Sequence, residues 1–244
     1  MSTLEPRKLP RQRRSKATVQ AILDACAEGL DRSGYHSLTT HAIATRAGAS
    51  VGTLYQYFPN RDAVAGAVVV RAMERLLQAM REALAECVER GLAGQAATEH
   101  LLLSALRVLV QERPVFARLG PEAPHLFRLP AAVAVQSQLI HMSQEIRLTS
   151  GAQLDLPMPE ADAWIIGHMV SASMLQISLL EGPEEERRKL TCEVARLTCR
   201  MALSRVAGSS ASVAAAAAGG HPTQMRLQLC RTAPQPPRRA LPRP

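Results

Sequence analysis

Apolar residues recur at every third or fourth position along most of this 244-residue chain, which is the spacing of amphipathic α-helices. The first such stretch runs from Lys16 to about Arg32 and is closed by Gly34. No segment alternates apolar and polar residues as a half-buried β-strand would. The pattern therefore predicts an all-α fold.

Two short helices follow the first one. A helix from about Thr40 to Ala47 is preceded by Thr39, a residue type that caps helix N-termini, and is ended by Gly48. Ser50 caps a third helix, which Pro59 closes. Three helices in this order predict a helix-turn-helix, in which the last helix lies at the surface and fits the major groove of DNA.

The rest of the chain keeps the helical pattern as far as Ala207 and then changes character. Residues 208–244 are rich in Ala, Gly, Ser and Pro and are expected to be disordered, because they cannot bury enough apolar surface to offset the entropy of ordering. The helices expected in between run from Asn60 through the eighties, then over Ala96–Glu112, Pro130–Thr149, Pro159–Leu180 and Pro183–Val206, with a short turn after Pro114.

The net charge of +8 resides at the two ends of the chain. Residues 1–16 contain six Lys or Arg and one Glu, and residues 208–244 contain five Arg and no acid, so the residues in between are slightly acidic. A basic arm ahead of a folded domain often binds phosphate groups. We therefore expect residues 1–15 to form a disordered basic arm that assists binding to nucleic acid.

Composition argues against several other classes of protein. Five cysteines without a C-x-x-C pair favour buried thiols in a cytoplasmic, reducing environment rather than a disulfide framework or a metal site. No run of 18 apolar residues occurs, and no apolar segment follows the basic N-terminus, so neither a membrane span nor a secretory signal is expected. Motifs of hydrolases, metalloproteases and phosphate-binding loops are missing, so we expect no enzyme and no cofactor.

The segment TTHAIATRAGASVGTLYQYFPNRDAV, Thr39 to Val64, resembles the DNA-binding part of the TetR/AcrR family of transcriptional regulators. The family pattern consists of an I-A-x-x-A-G core, a turn, S-x-G-T-L-Y-x-x-F and a basic residue. The residues that meet it are Ile43, Ala44, Ala47, Gly48, Ser50, Gly52, Thr53, Leu54, Tyr55, Phe58 and Arg61. Two positions depart from it, because His41 stands where Arg is common and Ala42 stands where an acidic residue is common.

The third helix is expected to divide its side chains between two roles. At 100° per residue, Leu54 and Phe58 point into the core, whereas Tyr57 lies on the outer side. Hydroxyl groups such as that of Tyr55 suit phosphate oxygens, and amides such as that of Gln56 suit base edges. The expected DNA-binding residues are Thr39, Thr40, His41, Ser50, Val51, Gly52, Thr53, Tyr55, Gln56, Tyr57 and Arg61.

The family resemblance implies that the second domain binds a small molecule and forms a homodimer through its last two helices. A stripe on the first of these two helices fits such an interface, although ordinary intrachain packing explains it as well. The stripe consists of Trp164, Ile165, His168, Ser171, Ala172 and Leu175. The candidate lining of a hydrophobic pocket, which core packing explains equally well, is Phe116, Phe127, Met142, Trp164, His168, Met169 and Met174.

The resemblance implies a repressor that binds a palindromic double-stranded DNA operator as a homodimer and is released by a small hydrophobic effector. The expected domains are the basic arm at 1–15, the helix-turn-helix at 16–62, the effector-binding and dimerisation domain at 63–207 and the disordered tail at 208–244. The alternative is a helical dimeric scaffold of the same fold that binds another partner without specific DNA recognition.

Overall fold

The computed structural model describes residues 4, 6–8, 10–139 and 160–218, and over these residues it contains helices and turns but no strand. The all-α prediction is confirmed. The helices are α1 (Arg13–Ser33), α2 (Thr40–Arg46), α3 (Val51–Tyr57), α4 (Arg61–Glu89), α5 (Gly94–Gln111), α6 (described over 130–139), α7 (Glu160–Leu179) and α8 (Glu184–Ala218). Three short helical turns, Val115–Leu119, Gly120–Glu122 and Pro124–Arg128, join α5 to α6.

Two helix boundaries differ by three or more residues from those expected. Helix α1 begins three residues early, because Ser15 and Gln12 cap it: the Gln12 amide lies 3.1 Å from the Ser15 hydroxyl, which donates back to the Gln12 carbonyl at 2.8 Å. Helix α8 continues to Ala218 and so enters the segment for which disorder was expected. Its last five residues are alanines, which have the highest helix propensity of any residue. Residues 219–244 lie outside the described part of the chain.

The helix-turn-helix packs into a core that it shares with later parts of the chain. The side chains of Ile22, Ile43 and Leu54 are fully buried, and those of Val64 and Leu126 belong to the same apolar cluster. Because Val64 lies on α4 and Leu126 lies in the last helical turn before α6, this core extends past the predicted domain boundary at residue 62. The position of α3 therefore depends on α4 and on the segment 115–128.

A second apolar cluster joins the helices nearer the C-terminus. It brings Leu102 and Leu106 of α5 against Met174 and Ile177 of α7, with Ala195 of α8. Phe116 packs against this cluster and also against the first one. The segment 115–128 therefore contacts both cores.

Within the described residues, every helix is too short or too polar to cross a membrane.

Replacing Leu54 by Ala should lower the free energy of unfolding by about 2–5 kcal/mol, because the cavity would lie in a fully buried part of the shared core. Equilibrium urea unfolding followed by circular dichroism measures this change. Val88 is 72% exposed on α4, and its replacement by Ala should change stability by less than about 0.5 kcal/mol. Equal effects of the two substitutions would contradict the assigned core.

Candidate nucleic-acid interface

The two short helices are held in place by side-chain caps and a glycine turn. The Thr39 hydroxyl accepts a hydrogen bond from the Ala42 amide at 3.1 Å, and the Ser50 hydroxyl accepts one from the Thr53 amide at 3.0 Å. Both predicted caps are confirmed. Gly48 has a φ of 64°, a conformation that glycine adopts without strain, and it turns the chain between α2 and α3.

Helix α3 buries one face and exposes the other. Leu54 and Phe58 lie in the core as expected, and Tyr57 is only 9% exposed. The prediction that Tyr57 lies on the outer side is wrong, because a residue three positions after Leu54 shares its face of a helix. Tyr55 is 40% exposed, so it is the tyrosine of α3 that presents its ring to solvent.

Several of the expected contact residues are brought together at this exposed face. The hydroxyl oxygens of Thr40 and Tyr55 are 3.3 Å apart, which joins the start of α2 to the middle of α3. The hydroxyl oxygens of Ser50 and Thr53 are 2.8 Å apart at the N-terminus of α3. The remaining outer positions are exposed or half-buried: Thr39, His41, Gly52 and Gln56 are exposed, and Val51 is half-buried against the core.

Arg61 was expected to bind phosphate, but its side chain has internal partners. Its Nη1 donates to the carbonyls of Tyr35 and Leu38, each at 3.3 Å, and its Nε lies 3.3 Å from Asp62 Oδ1. The guanidinium carbon also lies 4.3 Å from the centre of the Tyr35 ring. Arg61 is therefore an anchor of the loop between α1 and α2 rather than a free cation at the surface.

Tyr35 is the centre of this anchoring, although no sequence motif had indicated a role for it. Its hydroxyl donates to Asp62 Oδ1 at 2.6 Å, and its amide donates to Glu122 Oε2 at 3.0 Å. Burial and the hydrogen bond to Asp62 raise the pKa of the Tyr35 phenol to about 12. His36 Nε2 lies 3.9 Å from the same Glu122 oxygen. Glu122 belongs to the segment 115–128, so this segment also touches the helix-turn-helix directly.

The basic arm was expected to be disordered, but parts of it have defined contacts. Residues 13–15 form the start of α1. The amide of Arg7 donates to the Tyr57 carbonyl at 2.7 Å, and its Nη1 donates to the Tyr55 carbonyl at 3.3 Å. The described part of the arm is thus attached to the C-terminal end of α3.

The predicted effector pocket is only partly assembled. The rings of Phe116 and Phe127 lie 6.1 Å apart, and Phe116 packs against the cluster that contains the buried Met174. Trp164, in contrast, is 61% exposed and stacks on His168 with ring centres 3.8 Å apart. Met169 is also exposed. Trp164, His168 and Met169 are therefore not part of this apolar cluster, their pocket role stays a prediction, and Met142 lies outside the described residues.

The exposed apolar side chains of α7 and α8 do not belong to the intrachain core. Intrachain packing, the alternative explanation of the α7 stripe, therefore fails for Trp164 and Ile165. Large apolar side chains that are exposed on α7 and α8 suit contact with another protein. They are Trp164, Ile165, Met169, Leu190, Leu197 and Met201.

A groove of about 470 Å³ lies between the start of α5 and the start of α8. It is open and charged, and none of the seven expected pocket residues lines it. Its lining is Gln95, Glu99, Glu185, Arg188, Lys189, Cys192, Glu193 and Arg196.

Comparison with known proteins agrees with this geometry. The sequence profile of bacterial regulatory proteins of the tetR family matches residues 22–68. UidR, an HTH-type transcriptional regulator of Escherichia coli strain K12, is 34% identical over 71 residues, which are 29% of this chain and 36% of UidR. KstR, an HTH-type transcriptional repressor of Rhodococcus jostii, is 38% identical over 55 residues, which are 22% of this chain and 26% of KstR. The chain thus spans about a third or less of the length of these relatives.

A solved structure extends the likeness to the whole fold. The transcriptional regulator FadR of Bacillus subtilis, in complex with stearoyl-CoA, superimposes with a TM-score of 0.59 over 74% of this chain and 97% of that one, at 18% identity. The exposed α3, presented by α1 and α2 on a helical body, is the geometry of a helix-turn-helix regulator. Residues 22–68 thus have the sequence pattern of bacterial regulatory proteins of the tetR family, and the described helices share the fold of FadR.

Replacing Tyr35 by Phe should lower the free energy of unfolding at pH 7 by about 1.5–3 kcal/mol, because the hydrogen bond to the Asp62 carboxylate is lost. The raised pKa means that this stabilisation is present below the ordinary phenol pKa of 10.0 and is lost as the pH rises through about 12. Urea unfolding at pH 7 measures the change. Tyr55→Phe is the matched control and should cost less than about 1 kcal/mol, since Tyr55 is 40% exposed. Equal losses would contradict the anchoring role of Tyr35.

Proposed function

We propose that this protein is a transcriptional repressor that binds a palindromic operator as a homodimer and is released by a small hydrophobic effector. The observation that carries the proposal is the exposed face of α3, which is backed by the buried Leu54 and Phe58. A short helix held in this way fits the major groove, where each base pair has a distinct pattern of donors and acceptors. The repressor KstR is 38% identical to this chain over 55 residues.

The exposed face contains two kinds of groups for DNA. Hydroxyls of Thr40 and Tyr55 form a pair suited to a phosphate oxygen at the edge of the groove. Thr53 and Gln56 supply a methyl group and an amide that suit a thymine methyl and an adenine edge. Tyr57 and Arg61 are left out of this set, because one is buried and the other has internal partners.

Replacing Tyr55 by Phe should weaken operator binding about two- to tenfold, which is the value of one hydrogen bond. The operator is first selected with the full-length protein from a random library of duplex DNA, and dissociation constants are then measured by fluorescence anisotropy. Gln95→Ala, at an exposed position on α5, is the control and should bind the selected duplex as the wild type does. An unchanged affinity for Tyr55→Phe would remove the phosphate contact. If no sequence is enriched, the scaffold without specific DNA binding is the better explanation.

Dimer formation is proposed through the exposed apolar surface of α7 and α8. Trp164 and Ile165 lie on α7, and Leu197 and Met201 lie on α8. Pairing this surface with itself by a twofold axis would cover all four side chains in both copies. It would also place two α3 helices on one DNA duplex, and a twofold dimer requires a palindromic operator.

Replacing Ile165 by Glu should convert the dimer to a monomer, because a charge would be buried without a partner in the paired surface. Sedimentation equilibrium at micromolar concentration measures the change in mass. Val88→Glu is the matched control, since Val88 is also an exposed apolar residue but lies on α4. A monomeric wild type, or a dimer that tolerates Ile165→Glu, would contradict this interface.

Effector binding is proposed for residues 63–207, next to Phe116 and Phe127. These rings lie in the segment that packs against both apolar clusters, and Glu122 of the same segment receives a hydrogen bond from Tyr35. A molecule that separates the aromatic pair would therefore alter a direct contact to the helix-turn-helix. The apolar surroundings favour a hydrophobic ligand, and FadR of Bacillus subtilis binds stearoyl-CoA.

A further inference from the structure

The residues at the C-terminal end of α3 cannot supply hydrogen bonds to all of its last carbonyls. The last carbonyls of any helix have no partner within it. The Phe58 amide donates to the Leu54 carbonyl at 2.9 Å, which is the final intrahelical bond. The next carbonyl, that of Tyr55, would need the amide of residue 59, but Pro59 has no N–H. In addition, the last turn of α3 contains no basic residue to offset the negative end of the helix dipole.

Arg7 of the basic arm supplies both missing features. Its main-chain amide donates to the Tyr57 carbonyl at 2.7 Å, and its guanidinium Nη1 donates to the Tyr55 carbonyl at 3.3 Å. The guanidinium also places a positive charge at the C-terminus of the helix, where a cation is stabilising. A residue 48 positions away thus completes the cap of α3.

We propose that Arg7 is a positioning residue for DNA recognition: it caps α3 from outside and so fixes the orientation of Tyr55. The side chain of Tyr55 is then held near Thr40 and its carbonyl by Arg7. This inference rests on the proposed function, because the orientation of Tyr55 matters only if α3 binds DNA. It differs from a general electrostatic role of the arm, because Arg7 acts through α3 rather than through its charge alone.

The same contact also restrains the rest of the arm. The chain is attached to α3 at Arg7 and enters α1 at Arg13, so the described residues of the connecting loop, 8 and 10–12, are restrained from both sides. Lys8 and Arg11 lie on this loop and are exposed. Their charges are therefore kept beside the recognition helix and contribute to affinity for any duplex.

The test compares Arg7→Ala and Arg7→Pro with Arg11→Ala. Arg7→Ala removes the guanidinium bond, Arg7→Pro removes the main-chain bond as well, and Arg11→Ala removes one cation of the same arm without touching α3. For each protein the dissociation constants are measured for the selected operator and for an unrelated duplex. All three variants should bind the unrelated duplex more weakly, because each loses one positive charge. The ratio of the two constants should fall about three- to tenfold for Arg7→Ala, fall further for Arg7→Pro and stay unchanged for Arg11→Ala.

A second measurement needs no DNA. Hydrogen exchange followed by mass spectrometry reports on the amides of residues 51–58, which should exchange faster in Arg7→Ala and fastest in Arg7→Pro, with Arg11→Ala equal to the wild type. The proposal is overturned if exchange in this segment is the same in all four proteins. It is also overturned if Arg11→Ala lowers the operator ratio as much as Arg7→Ala does. A wild type that fails to discriminate any operator would overturn the proposed function instead, and the exchange data would still decide whether Arg7 caps α3.

Discussion

The burial of one side of α3 is the constraint on which the rest of the candidate interface depends. A helix of seven residues is not stable by itself, so its position comes from the core that receives Leu54, Tyr57 and Phe58. Burial of these three side chains decides which residues remain outside. Tyr57 lies on the buried side of the helix, whereas Tyr55 lies on the exposed side.

Most of the positive charge near α3 lies outside the two short helices. Between residues 39 and 58 the only Lys or Arg is Arg46, and its Nε lies 3.9 Å from a Glu28 carboxylate oxygen. The nearby Arg61 is used to hold the loop that contains Tyr35. The surface of the two short helices is consequently polar but almost uncharged. Attraction to a polyanion must therefore come from the arm, which makes the attachment of Arg7 to α3 important for where that charge lies.

Local pattern was sufficient for the helices and their caps, because Thr39, Ser50 and Asn60 act within three residues of themselves. The i, i+3 relation between Leu54 and Tyr57 agrees with the burial of both side chains. The carbonyl partners of Arg61 and of Arg7 could not be found in this way, since they lie 23 or more residues away along the chain. Such contacts exist only after the helices have packed, and no spacing rule in one sequence predicts them.

Helix α7 has one side covered within the chain and another side exposed. The helix is apolar nearly all round, so its pattern does not distinguish the side that faces the core from the side that faces out. Met174 and Ile177 are buried against α5, whereas Trp164 and Ile165 are exposed on the remaining surface. A helix that is apolar on every side is normally buried on every side. Packing against α5 covers one side of α7. The proposed homodimer would cover the exposed side, because a twofold axis pairs the same surface of both copies.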